Sequence, residues 1–231
     1  MITRIHHLTR GLAHLFYPQL CEACNKPLLQ QEKTLCIGCE HCLPYTQYHS
    51  VEDNETTLRL AGRFPFRYAT SLAYFTEENS LQHLLHRLKY KERQGIGIFL
   101  GRQLGTALKP LHWQPDAIVP VPLYPKKLAK RGFNQSELIA EGISEALDIP
   151  VWKQALQRVK NTGTQTDKTR QERIENVQDA FRLQSENIGS NQHILLVDDV
   201  LTTGATLEAC ARELLKAKGI TVSIATIGIA V

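Results

Sequence analysis

His193-Ile194-Leu195-Leu196-Val197-Asp198-Asp199-Val200-Leu201-Thr202-Thr203-Gly204-Ala205-Thr206 runs an apolar strand into a polar turn. Residues 194–197 form a short apolar run of the kind found in parallel sheets covered on both faces. Residues 207–218 read as the following helix, stopped by Gly219. The turn therefore opens a helix N-terminus. Backbone N–H groups of Thr203, Gly204, Ala205 and Thr206, the hydroxyls of Thr202, Thr203 and Thr206, and the helix dipole all favour a phosphate there, and Gly204 lets the backbone approach it closely. Asp198 and Asp199 stand where the strand ends. An ionised carboxylate accepts hydrogen bonds from two adjacent hydroxyls, so the pair suits a diol next to that phosphate. A 5-phosphorylated ribose carries both groups. Paired aspartates at a strand end also bind Mg²⁺ in receiver-like domains, but those acids stand on the first strand, whereas this pair precedes only one further helix and strand.

Residues 195–206 resemble, without a gap, the signature of type I phosphoribosyltransferases. The resemblance implies that Asp198 and Asp199 hold the ribose hydroxyls of 5-phosphoribosyl 1-diphosphate (PRPP), and that Thr202, Thr203, Gly204, Ala205 and Thr206 hold its 5-phosphate. It also implies an α/β fold, a parallel sheet with flanking helices.

A chain of 231 residues, 42% hydrophobic and 22% charged, can bury one α/β core and carry a small appendage. The net charge of +4 is too modest to call for nucleic acid by itself. Residues 2–20 are interrupted by Arg4, His6, His7, Arg10 and His14, which reads against a signal peptide. No apolar run reaches the length of a membrane span, so no stable membrane insertion is expected. A cytoplasmic, reducing setting is the expectation that follows.

That setting governs the cysteines. Five of the six fall within residues 21–42: Cys21 and Cys24, then Cys36 and Cys39, with Cys42 three residues on. Two Cys-x2-Cys pairs in a reducing compartment argue for metal and against disulfides. Four thiolates complete a tetrahedral Zn²⁺ site with no position left open for chemistry, so Cys21, Cys24, Cys36 and Cys39 are expected to form a structural knuckle over residues 21–45. With little besides Leu28, Leu29 and Leu35 to bury, the segment would draw much of its folding free energy from the metal. Cys36, Cys39 and Cys42 also echo the spacing of an iron–sulfur run, and His41 is an alternative ligand beside them. Cys210, inside the last helix, reads as a small buried hydrophobe.

Ile5, Leu8, Leu12 and Leu15 recur at helical spacing, which predicts an amphipathic helix within residues 1–20. Residues 46–62 are polar and read as a linker ahead of a main domain over 63–231. A strand over 67–75 and helices over 80–89 and 96–109 are expected next, with Arg87, Lys89, Lys91 and Arg93 clustered between the helices as a solvated basic face or an anion contact. A strand over 116–123 ends in Pro120 and Pro122, and Asn134 is a natural N-cap for the helix after it. Short strands over 155–159 and 180–183 enclose a polar loop over 160–168 and then Arg170, Arg173 and Asn176 at helical spacing.

A second resemblance spans nearly the whole chain. Val119-Pro120-Val121-Pro122-Leu123, Arg131-Gly132-Phe133-Asn134-Gln135, Arg158, Gln165, Arg173, Asn176-Val177 and Ala180-Phe181, with the leading cysteine pairs, are similar to the ComF family, which joins a zinc knuckle to a type I phosphoribosyltransferase domain. Cys42 is surplus to that pattern. The resemblance implies a diphosphate loop at Val121, Pro122, Leu123 and Lys126, and catalytic roles for Asp198, Asp199, Arg131 and Arg173. Mg²⁺ would act with PRPP, and the segment flanked by Arg158, Gln165 and Arg173 would close as a lid. Competence members of the family act in uptake of single-stranded DNA. Two readings of function follow: transfer of phosphoribose to an acceptor the sequence does not identify, or a non-catalytic, PRPP-responsive module that contacts single-stranded DNA or DNA-uptake proteins through Arg87, Lys89, Lys91 and Arg93.

Overall fold

In the computed structural model, which describes residues 18–90, 93–160, 179–184 and 188–231, the chain divides into two compact units, Met1–Leu43 and Pro44–Val231. The helix expected within residues 1–20 lies outside the described residues except for its last three positions. The first unit carries an isolated antiparallel bridge between Leu20 and Pro27 and a short helix, α1 (Ile37–His41). Among the described residues its buried apolar side chains are Cys21, Leu28, Leu35 and Leu43, while Leu29, expected inside, is exposed.

The second unit runs through a 3₁₀ turn (Tyr48–Ser50), α2 (Glu55–Leu60), β1 (Ala69–Phe75), α3 (Ser80–Arg87), α4 (Gly95–Leu108), β2 (Ala117–Pro120), α5 (Pro125–Arg131), α6 (Gln135–Leu147), β3 (Leu156–Arg158), β4 (Phe181–Leu183), β5 (His193–Leu201), α7 (Ala205–Leu214) and β6 (Thr221–Ala230). The strand sequences are mostly aliphatic, and in β6 even Ser223 and Thr226 are buried, as expected of strands covered on both faces. They pair as a parallel, four-stranded sheet in the order β1-β6-β5-β2, with Val119 opposite Leu196 and Leu196 opposite Ile224. Pro120 is tolerated because β2 lies at the end of that order and the proline is its last residue. β3 and β4 form a separate antiparallel pair that sets Arg158 opposite Phe181.

The polar stretch 46–62 is no linker. Asn54 caps α2, Thr56 and Leu60 are fully buried, and the Thr56 hydroxyl lies 2.8 Å from Ser71 Oγ, which lies 2.7 Å from Thr226 Oγ1. Asn54 and Thr56 are buried and satisfied inside the unit, which is why composition misreads it. Behind the sheet α4 and α6 approach to backbone contact. A Cβ on Gly101 would lie 2.0 Å from the Ile139 carbonyl oxygen, and one on Gly142 would lie 2.1 Å from that of Ile98, so only glycine fits at either position. That contact holds α6 with its first turn toward the carboxyl ends of β2 and β5.

Candidate functional site

β5 continues past the expected 194–197 to Leu201, so Asp198 and Asp199 are its own residues near the carboxyl edge of the sheet. The chain then turns through Thr202 and Thr203 into Gly204, whose φ of +81° makes it the left-handed N-cap of α7. No side chain caps that helix end, which leaves first-turn N–H groups for an anion. Residues 200–207 and Asp198 enclose a cavity of 40 Å³, several times the roughly 10–15 Å³ that one water occupies on this measure and so enough for a phosphate-sized group. α2 supports the turn from beneath: a Cβ on Gly204 would lie 2.9 Å from Leu60 Cδ2, and Arg59 Nη1 donates to the Thr202 carbonyl at 3.3 Å. This buttress is invisible to sequence reading, because it comes from the segment that reads as linker.

Asp198 Oδ1 accepts from the Ser136 hydroxyl at 2.9 Å and from the Asp199 N–H at 2.9 Å. Burial, with the neighbouring Asp199 charge adding to it, pushes the Asp198 carboxyl up to about 7, while those two donors and the Arg158 guanidinium pull it back down. Burial raises Asp199 as well, against its Val200 N–H donor at 2.7 Å and the charges of Arg131 and Lys89. Three elements thus aim cations at the pair: Arg158 from β3, Arg131 from the end of α5, and Lys89 just beyond α3. Arg158 is itself stacked over the Phe181 ring at 5.3 Å, and burial lowers its own pKa.

The turn after β2 lies alongside. Val121 N–H donates to the Val197 carbonyl at 2.9 Å, which places Val121, Pro122 and Leu123 next to the acid pair. Lys126, expected on the diphosphate loop, is helical, as is Arg131: Pro125 occupies the first turn of α5, where its missing N–H and fixed φ cost nothing. Lys126 is exposed, and Arg131 is hydrogen-bonded to Gln135. Thr202 and Thr203 are exposed at the turn, with Gly204, Ala205 and Thr206 leading into α7. Gln165, Arg170, Arg173 and Asn176, and the expected loop beyond Lys160, lie outside the described residues.

The basic cluster is not one free patch. Lys89 acts on Asp199, Arg87 and Arg93 have interactions of their own, and Lys91 lies outside the described residues. Sequence reasoning also missed Ser136; the available signal was the Asn134 cap, which puts the first turn of α6 directly after the Val121 turn.

In the first unit the ligand atoms of Cys21, Cys24, Cys36 and Cys39 all lie within 4.8 Å of one another. Thiolates about 2.3 Å from a tetrahedral Zn²⁺ stand roughly 3.8 Å apart. Cys24 Sγ and Cys36 Sγ are 3.8 Å apart, so this donor set fits a zinc knuckle. Burial raises the Cys21 thiol, but N–H donation from Cys24, Cys36 and Ala23 outweighs it and brings the thiol down to about 7, toward the thiolate a metal needs. Among the described residues Cys42 and His41 stand outside this cluster. Cys210 is fully buried, as expected.

Residues 133–231 match the phosphoribosyl transferase domain model. Competence protein F of Haemophilus influenzae is 33% identical over 213 residues, covering 90% of this chain and 89% of that protein. The DNA utilization protein YhgH of Escherichia coli O157:H7 is 32% identical over 217 residues, covering 89% and 88%. Among solved structures, adenine phosphoribosyltransferase from Leishmania tarentolae overlaps 65% of this chain and 74% of its own, with 15% identity and a TM-score of 0.37. No helix among the described residues is long and apolar enough to cross a membrane.

Proposed function

We propose, on the premise that this chain belongs to the competence protein F (ComF) family and carries a phosphoribosyl transferase domain, that it binds PRPP with Mg²⁺ and transfers phosphoribose to an acceptor. The observation that carries the reading is one continuous arrangement: two carboxylates at the end of β5 followed within a few residues by an uncapped helix N-terminus and its small cavity. Phosphate on the helix end and ribose hydroxyls on Asp198 and Asp199 would seat PRPP with its anomeric carbon toward the Val121 turn.

Breaking the bond to diphosphate builds positive charge on the ribose and negative charge on the leaving group, so the chemistry calls for charge stabilisers more than for a nucleophilic side chain. Asp198 and Asp199, ionised, favour the cationic ribose. Arg131, Lys126 and the main-chain N–H of Leu123 are suited to the diphosphate, with Arg173 as a further expected contributor. A bound Mg²⁺ would supply further neutralisation of the diphosphate charge. Cys21, Cys24, Cys36 and Cys39 would hold a structural Zn²⁺.

The names of the relatives support a second reading, a PRPP-responsive module of DNA uptake that contacts single-stranded DNA or uptake proteins without turnover. Incubation with PRPP and Mg²⁺ separates the two. The enzyme reading expects pyrophosphate release that disappears in Asp198→Asn; PRPP binding without release for any acceptor class offered would support the module instead.

A further inference from the structure

We infer that Ser136 and Asn134 are positioning residues, through which the first turn of α6 fixes the spacing between the ribose-binding acid Asp198 and the diphosphate-binding turn at Val121. The inference rests on the PRPP reading above. Asn134 and Ser136 are each 4% exposed, although neither contributes to an apolar core. Their polar atoms are fully used. Asn134 Oδ1 accepts from the Ser136 N–H at 3.2 Å, which caps the helix. Its Nδ2 donates backward to the Val121 carbonyl at 3.0 Å. The Ser136 hydroxyl, one turn position on, donates to Asp198 Oδ1 at 2.9 Å.

The end of β5 and the turn after β2 are therefore tied to two residues two positions apart at the start of one helix. Oδ1 of Asp198 takes both available donors, Ser136 and the Asp199 N–H, and no described residue donates to Oδ2. That division fixes the carboxylate plane while leaving one oxygen for a ligand hydroxyl. The helix carrying both ties cannot slide, because Gly101 and Gly142 seat α6 against the backbone of α4. A cap alone would need only the acceptor of Asn134. The donation from Nδ2 to the turn and the hydroxyl on Asp198 are additional, and both point at the two ends of the ligand site. Holding two binding elements at a fixed separation lowers the cost of engaging both at once, which is how preorganisation gains affinity.

Each tie predicts loss of a different fragment. Ser136→Ala should weaken ribose 5-phosphate binding about tenfold and leave Mg²⁺-diphosphate binding within about twofold of wild type. Asn134→Ser keeps a good cap but cannot reach Val121, so it should weaken Mg²⁺-diphosphate and spare ribose 5-phosphate. Ser136→Thr retains the hydroxyl and should restore ribose 5-phosphate affinity to within about threefold. Calorimetry with the full-length protein and these two fragments, beside a thermal melt of each variant, reads all of this. Wild-type PRPP binding combined with unchanged fragment affinities in both variants overturns the inference alone, as does equal loss of both fragments in each variant or a Thr variant as weak as Ala. Absence of PRPP binding by the wild type overturns the functional reading and the inference together.

Discussion

The two units gather polar atoms toward a ligand by opposite means. In the first, four side chains from closely spaced cysteines converge on one point, and beside Cys21 itself the described residues bury only three apolar side chains, Leu28, Leu35 and Leu43. In the second, the polar atoms belong largely to the main chain at the rim of a sheet whose strands are buried on both faces. The difference teaches where folding free energy comes from. A unit with so small a core would draw its stability from a bound metal, whereas a unit with a complete sheet can present an unliganded site and still be folded.

Removal of zinc should give the largest effect. About one zinc per chain is expected by elemental analysis, and Cys21→Ser should lose it entirely, with a cost on the order of 10 kcal/mol to the first unit. The thermal transition of the second unit should not move on chelation. Full zinc in Cys21→Ser, or loss of zinc in Cys42→Ala, would break the assignment of ligands.

Leu60→Ala comes next, because the side chain is 0% exposed and supports Gly204. A cost of about 2–5 kcal/mol in denaturant unfolding is expected, the range for a buried leucine. A value below about 0.5 kcal/mol, typical of the surface, would return residues 46–62 to the status of a linker.

Asp199→Ala should weaken PRPP binding by at least about tenfold, roughly 1.4 kcal/mol, as a charged acceptor is lost. Unchanged affinity in calorimetry would remove the acid pair from the site while leaving the cysteine unit untouched.

The smallest expected effect is a pH profile. Asp198 is held up to about 7 by burial and by Asp199, so it is largely protonated below that pH and ionised above it. Ligand affinity that needs the carboxylate should rise with pH through about 7. Folding stability has the opposite sign: the folded state keeps a proton that the unfolded chain releases near pH 4, so this group's contribution declines as pH climbs from about 4 to about 7. Asp198→Asn should flatten both curves, and a binding profile that stays level through that window would show that Asp198 is not the titrating ligand group.

Much of the second unit was legible because its signals are local. Residues 194–206 read correctly as strand, turn and helix, since an apolar run, paired acids and a glycine lie in order along one stretch. The cysteine cluster was legible for the same reason. What escaped were residues whose partners are distant in sequence. Thr56 looked solvated because Ser71, which satisfies it, lies on β1 and is itself bonded to Thr226 on β6. Lys89 and Ser136 reach the acid pair only because β1, β2 and β5 end at the same edge of the sheet, a fact that no periodicity reports.

The glycine contact between α4 and α6 has a consequence for how this chain tolerates change. Gly38 and Gly95 face open space, where a Cβ meets nothing within 4 Å, and a saturation library should fill both with many residue types. At Gly101 and Gly142 even a methyl group has nowhere to go, so the same library should return glycine alone. Any route by which this sequence diversifies must therefore keep that pair invariant or change both helices in a single step, which makes the seam a historical constraint as well as a mechanical one.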